Sequence, residues 1–232
     1  MKMWNNLTLV TAMLAMSAVA QADTLGGIYA SVDYWAVQGN YNDSRRVGDA
    51  LDVDDVGLAQ FAVSIEHPVP LVPNVRIRHV TMDVDTQQKI AGQPTYNVDV
   101  NNTDVIAYYE LLDNVVSVDA GVAAKALDGD IQYLGIHTWK LSETVPMLYG
   151  SVGGKLPFTG LSTKAEALIS VDNQLKVSDV SAEVKYDFID TLLVDVGAKV
   201  GYRILDVDLS SKKSLDNKFR FDGVYAGLEV HF

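Results

Sequence analysis

The chain contains no cysteine. Neither a disulfide framework nor a thiolate metal site can hold it together, and no lipid can be attached at a mature N-terminal Cys. Basic residues are scarce: 18 Lys and Arg stand against 30 Asp and Glu, a formal charge of −12. Nucleic-acid phosphates are bound by clustered Lys and Arg, so nucleic acid is excluded as a partner. Long hydrophobic runs are also missing. Beyond residue 22 no stretch reaches 18 apolar residues, which excludes a transmembrane helix. A soluble all-β domain and a membrane barrel remain, and hydropathy does not separate them because barrel strands alternate.

The start of the chain has the one sustained apolar segment. Lys2 supplies a positive n-region, Leu7 to Ala20 is a 14-residue core interrupted only by Thr8, Thr11 and Ser17, and Ala20-Gln21-Ala22 is a small-x-small cleavage site. This reads as a cleaved signal peptide over 1–22, since a spanning helix needs about 20 apolar residues. Cleavage before Asp23 leaves one domain over 23–232, of 210 residues and charge −13.

Beyond the signal segment the dominant pattern is alternation. In Phe219-Arg-Phe-Asp-Gly-Val-Tyr-Ala-Gly-Leu-Glu-Val-His-Phe232, Val224, Ala226, Leu228, Val230 and Phe232 share one face of a strand, and Tyr225, Gly227, Glu229 and His231 the other. Period-two segments recur at 25–38, 56–67, 75–85, 104–112, 115–126, 147–154, 162–172, 180–188 and 192–204, the Gly-rich 147–154 being the weakest. That makes about ten strands, with eight the alternative count. In 75–85 the apolar parity slips between Ile77 and Val80, which predicts a β-bulge near Arg78-His79.

Connections alternate in length. Those around 39–55, 86–103, 127–145 and 206–218 are long and polar; those at 67–74, 113–114, 155–161 and 189–191 are short. Only the connection at 173–178 breaks the pattern. Outer-membrane barrels have long external loops, short periplasmic turns, an even strand number and both termini inside. The reading is therefore a closed antiparallel up-and-down transmembrane β-barrel. The apolar parity then faces lipid, and the charged, glycine-rich parity faces the lumen: Lys125, Glu183, Lys185, Asp195, Lys199, Arg203 and Glu229. Val196, near mid-membrane, and Val200 are expected to face lipid. Tyr34, Trp35, Tyr109, Phe188, Tyr202, Phe221 and Phe232 suit interfacial girdles. The last strand should pair with the first, where Ala30, Ser31, Ala226 and Gly227 are small.

The terminal strand resembles that of Gram-negative outer-membrane barrels, whose final aromatic residue helps the barrel-assembly machinery recognise its client. That resemblance implies an assembly signal at Tyr225, Leu228, Val230 and Phe232. Together with the signal peptide, the length and Leu25-Gly-Gly-Ile-Tyr29, the chain is similar to small γ-proteobacterial barrels, above all the uncharacterised family that accompanies the GlyGly C-terminal sorting system. More loosely it resembles OmpW-like and OmpA-like barrels. The resemblance implies Sec export, residence in the outer membrane and contact with its lipid and lipopolysaccharide, and brings no catalytic or ligand residues.

Few motifs carry chemistry. Of His67, His79, His137 and His231, only His137 lies in a long loop near Ser142, Asp128 and Asp130, the makings of a rim hydrolase but without a recognised signature. Acidic groups recur at Asp49, Asp52, Asp54, Asp55; Asp83, Asp85; Asp128, Asp130; and Asp206, Asp208. The run from Asp52 lacks calcium-loop order, with Val56 and Val63 where ligands belong. No cofactor or metal site is expected. The function expected is a non-enzymatic barrel, structural or a narrow pore or small-solute carrier, since about ten strands leave a lumen largely filled by side chains. A rim-active lipid-modifying enzyme and a soluble periplasmic lipocalin-like carrier are the alternatives.

Overall fold

The computed structural model describes residues 26–43, 50–69, 71–171, 175–191, 193–209 and 217–232. The expected signal segment 1–22, Asp49 and Asn173 lie outside them. Ten long strands make the wall: β1 (Gly27–Asp43), β2 (Val56–Glu66), β3 (Asn74–Asp85), β4 (Tyr96–Asp113), β5 (Val116–Tyr133), β6 (His137–Leu156), β7 (Leu161–Ser170), β8 (Lys176–Asp190), β9 (Asp195–Asp208) and β10 (Asn217–His231). Each pairs antiparallel with its sequence neighbours, and β10 returns to pair with β1. The result is a closed, up-and-down, ten-stranded barrel.

Closure has a definite stagger. Following register partners from Ile28 through Ile65, Val75, Ala107, Val122, Leu148, Ile169, Ser178, Asp206 and Arg220 returns to β1 at Asn40, twelve residues above the start. Ten strands with that stagger must tilt by about 40°, within the range of outer-membrane barrels. At that tilt each residue climbs roughly 2.5 Å along the axis, so ten residues cross a band of about 25 Å.

The outer face fits such a band. Ile28, Ala30, Val32, Tyr34 and Ala36 line β1 below Gln38, and Val196, Ala198, Val200, Tyr202 and Ile204 line β9 below Asp206. Val200 and Leu228 are 52% and 49% exposed although fully apolar, which water would not tolerate over a whole circumference and lipid does. The inward faces carry buried Asp33, Arg78, Asp104, Lys125, Asp179, Lys199 and Arg203. This is the reverse of a soluble barrel, so the lipocalin-like alternative falls.

Above the band the polarity inverts. Along β3 the inward residues run Asn74, Arg76, Arg78 and then Val80, Met82, Val84, all on one parity, while Thr81, Asp83 and Asp85 face out. The β2–β3 and β3–β4 registers run unbroken through Arg78 and His79. The expected bulge is absent. The apolar parity changes sides because the strand leaves the membrane, not because it slips. Val37, Tyr41, Val98, Val100, Leu127, Ile131, Leu141, Val145, Leu205, Val207, Phe219 and Phe221 join Met82 and Val84 in one buried apolar core. The loops add Leu51, Val53, Leu175 and Leu209. Trp35 and Phe221, expected in a girdle, are 0% and 1% exposed in this interior. Tyr34, Tyr109, Phe188 and Tyr202 are exposed on the outer face.

The long polar connections are correspondingly shorter than expected. The stretch 127–145 is a hairpin of β5 and β6, turning at Leu134 and Gly135, both with positive φ (50° and 65°). Two positive-φ residues are what a tight hairpin turn matched to strand twist requires. β6, which holds the weakly read 147–154, runs 20 residues. The 86–103 connection contains a small hairpin of Lys89–Ile90 with Gln93–Pro94. Val196 lies next to Asp195, the periplasmic end of β9, so Val200 rather than Val196 is the mid-membrane residue.

Val200→Arg should cost about 2–4 kcal/mol by urea unfolding in lipid vesicles, and Val196→Arg about 0–1 kcal/mol. Equal costs would show the band to be misplaced. At the seam, Ala30 faces Val230 and Ser31 faces Glu229, whereas Gly227 and Ala226 face Asp33 and Tyr34. Cysteines at positions 30 and 230 should therefore cross-link on oxidation in the outer membrane, and cysteines at 30 and 226 should not.

Candidate functional site

The charged groups of the lumen form one connected lattice just below the apolar core. Asp179 on β8 is its hub. It accepts two bonds from the Arg203 guanidinium (2.9 and 2.7 Å), one from Arg78 (2.9 Å) and one from Lys125 Nζ (2.8 Å). Asp104 faces Arg78 at 2.8 Å and Lys125 at 2.7 Å, and Asn102 accepts from Lys125 at 3.0 Å. Glu166 binds Arg76 and Arg78 at 2.6 and 2.9 Å. Gln60 takes a bond from Arg203 and donates to Asp33 at 2.9 Å. Residues from β1, β2, β3, β4, β5, β7, β8 and β9 thus meet across the lumen.

A second tier lies nearer the periplasm. Lys199 sits 3.3 Å from Asp33, 3.7 Å from Glu183 and 3.8 Å from Glu229. Lys185 binds Glu229 at 3.0 Å and Asp187 at 3.2 Å, and Tyr225 donates to Glu183 at 2.7 Å. At the mouth, His231 stacks on Tyr29 with centroids 4.0 Å apart and lies 3.2 Å from Asp195. Trp35 closes the charged tier from above: its indole donates to the Gly223 carbonyl at 3.2 Å, and the Arg203 guanidinium lies 4.7 Å over its ring.

Fitting these side chains into a narrow barrel requires glycine at chosen places. A Cβ on Gly201 would stand 2.5 Å from the Tyr225 ring, and one on Gly227 would stand 2.0 Å from the Asp33 carboxylate. Both glycines face the lumen where a large neighbour crosses over them.

All seven lumen candidates, Lys125, Glu183, Lys185, Asp195, Lys199, Arg203 and Glu229, lie on the inward parity of their strands. Tyr225 also points inward and is buried, while Leu228 and Val230 lie on the outer parity. Asp33, Gln60 and Glu166 fall on the polar parity of their segments without being among the lumen candidates, and Arg76, Arg78, Asp104 and Asp179 are further lattice members outside that set. Asp179 immediately precedes the segment read as 180–188 and shares parity with Glu183 and Lys185, so one more residue of strand would have found it. Arg76 and Arg78 were obscured by the inferred bulge.

The would-be rim hydrolase does not come together. Ser142 is a strand residue directly opposite Asp128, both exposed on the outer face. His137 lies five positions away along β6, about 16 Å of strand. Among the described residues no group of three or more His, Asp or Glu is arranged to hold a metal ion.

No family model matches the chain, and no curated protein matches its sequence. Among solved structures it is similar to the transport unit of the autotransporter AIDA-I from Escherichia coli (8% identity, TM-score 0.46, 97% of each chain covered). It is also similar to the translocator domain of the autotransporter NalP from Neisseria meningitidis (8% identity, TM-score 0.45, 97% of this chain and 94% of that one). The outer membrane protease OmpT from Escherichia coli matches at 8% identity and TM-score 0.44, over 93% of this chain and 99% of that one. These likenesses carry nothing about what this barrel does. By its own geometry, with an apolar belt outside, ion pairs inside and antiparallel closure, the protein is a β-barrel of the Gram-negative outer-membrane type.

Removing one partner of a buried charge cluster leaves the others uncompensated. Asp179→Ala should cost about 3–5 kcal/mol by urea unfolding in lipid vesicles. Asp206→Ala, which loses only an exposed 3.5 Å pair with Arg220, should cost less than about 1 kcal/mol. Equal, small effects would show that losing Asp179 leaves no buried charge uncompensated.

Proposed function

We propose that the protein is an integral outer-membrane barrel of the structural class, with a sealed lumen and no enzymatic activity. The observation that supports this reading is the stacking of two blocks across one lumen. The ion-pair lattice around Asp179 fills it at membrane depth, and the apolar core capped by Leu51, Val53, Leu175 and Leu209 fills it above. A narrow pore or small-solute carrier needs a continuous wet path, and the packed core, mostly apolar though it includes the tyrosines Tyr41 and Tyr96, offers water few polar partners along it. Strands β4 to β6 continue roughly 15 Å beyond the apolar band. On this reading they form a rigid platform at the cell surface, its outer face polar and its strands held by the core beneath them.

The same reading includes Sec export with loss of 1–22, insertion through the barrel-assembly machinery with Phe232 as the terminal aromatic, and contact with membrane lipid and lipopolysaccharide. It also includes likeness to the uncharacterised γ-proteobacterial barrels. The rim-enzyme alternative would need His137 and Ser142 side by side, and their spacing along β6 counts against it.

Planar bilayers test the central claim. The purified protein, beginning at Asp23 and migrating heat-modifiably after recovery from outer membranes, should give no stepwise conductance in potassium chloride. Regular single-channel steps from the wild-type protein would replace this reading with the narrow-pore one.

A further inference from the structure

Above the membrane band the wall is uneven, and β6 outgrows one of its neighbours. β7 ends at Ser170, opposite Met147 of β6, and the next bond between the two chains runs from the Val171 N–H to the Pro146 carbonyl at 3.1 Å. β6 continues upward through nine more residues, His137–Val145, paired with β5 on its other side. Among the described residues no strand pairs with the edge that β7 leaves. That edge is about 30 Å long.

Two hydrogen bonds fix which backbone groups point along it. Pro146 accepts from Val171 on the β7 side, and the Lys155 N–H donates to the Val115 carbonyl on the β5 side at 2.8 Å. Alternate residues of an antiparallel strand bond to opposite neighbours, and neither ladder of β6 has a register shift. The even-numbered residues therefore turn toward β7. Above Pro146 these are Thr138, Lys140, Ser142 and Thr144, whose N–H and C=O groups face a vacant strand position.

Exposed edges are commonly blunted by a bulge or a proline. Neither occurs between His137 and Val145. The edge is also held rigid, since Leu141 and Val145 belong to the apolar core and Trp139 packs against it. An arriving strand meets a preorganised template and loses only its own conformational freedom. Donor and acceptor pairs repeating every second residue match one kind of polymer, an extended polypeptide. Lys140 sets the charge preference, being the charged one of the four and exposed on the outer face. Opposite charges across a strand pair stabilise it and like charges do the reverse.

We propose that the upper edge of β6 is a β-strand addition site, which takes an extended segment of another polypeptide with Asp or Glu opposite Lys140. It rests on the surface-platform reading for its access from outside the cell. It does not depend on a sealed lumen, because peptide binding and conductance are measured separately and either can fail alone.

Two heptapeptides are the probes: Val-Thr-Val-Glu-Val-Thr-Val, and the same peptide with Lys in place of Glu. Amide exchange of the mature barrel in lipid nanodiscs, read by NMR, should be fast at Thr138, Lys140, Ser142 and Thr144. It should be slow at Trp139, Leu141 and Glu143, whose N–H groups face β5. Millimolar Glu peptide should slow exchange at Thr138, Lys140 and Ser142, and the Lys peptide should bind several-fold more weakly. Ser142→Pro removes one edge donor without touching the β5 ladder, and should weaken binding by about tenfold, the worth of one hydrogen bond. Ser142→Thr should bind as the wild type does. Lys140→Glu should reverse the preference between the peptides, which decides the matter if the proline variant fails to assemble. Slow exchange at all of these amides in the free barrel would show the edge already covered and overturn the proposal. So would an absence of protection by both peptides, equal binding of the two, or unchanged binding to Ser142→Pro.

Discussion

Everything in this molecule depends on the need to satisfy each backbone N–H and C=O where there is no water. In hydrocarbon an open strand edge leaves a row of unpaired groups, each costing several kcal/mol, so a sheet must close on itself. Here β10 meets β1 over thirteen register pairs. Closure with ten strands and a twelve-residue stagger sets the tilt, and the tilt sets how many residues cross the membrane. It also sets the bore. Side chains alternate in and out, so every second residue of ten strands must be accommodated in a narrow cylinder.

That cylinder has two interiors because it has two exteriors. Within the membrane the outer parity is surrendered to lipid, and the polar residues of the sequence have nowhere to go but inward. Charges placed there are costly unless paired and hydrogen-bonded. The lattice around Asp179 meets both conditions, with one carboxylate shared by two guanidinium groups and an ammonium. Past the headgroups water returns to the outside. Asp83, Asp99, Asp128 and Asp206 turn outward on the same strands, and the apolar residues turn in, as in any water-soluble barrel. One strand therefore carries both patterns in sequence, and β3 shows the change within four residues, from Arg78 to Met82.

This two-sided environment explains what could be read from the sequence and what could not. The faces of β1, β9 and β10 were legible because strict alternation holds across the whole band, and the strand count came from the period-two segments. The upper third of the barrel was not legible. A reading that assigns apolar residues to lipid must treat Val80, Met82 and Val84 as displaced, and it invents a bulge to restore them. It must likewise read 127–145 as loop, since Asp128, Asp130, Lys140 and Ser142 look solvated. They are solvated, on the outside of a hairpin whose inner face is Leu127, Ile131, Leu141 and Val145. Pairing was beyond reach for another reason. That Asp179 would face Arg78, 101 positions away, depends on the stagger, which no local pattern encodes.

The same long reach gives the lattice a part in assembly. Its members come from eight strands, so no two or three adjacent strands can neutralise it. Asp179 and Arg203 meet as soon as β8 pairs with β9, but Arg78 and Lys125 reach Asp179 only when the wall has curved through β3 to β8. Until then a partly formed sheet holds bare charges on the face that must become the interior. A register slip of one residue would be worse, exchanging Lys199 for Val200 and turning an ammonium toward lipid. Charge placement thus opposes the misassembled states more strongly than it stabilises the final one, as expected where buried ion pairs contribute little net stability and considerable specificity. The glycines belong to the same logic. Gly201 and Gly227 admit Tyr225 and Asp33 only in the native register, so the stagger that satisfies the backbone is also the one that lets the interior close.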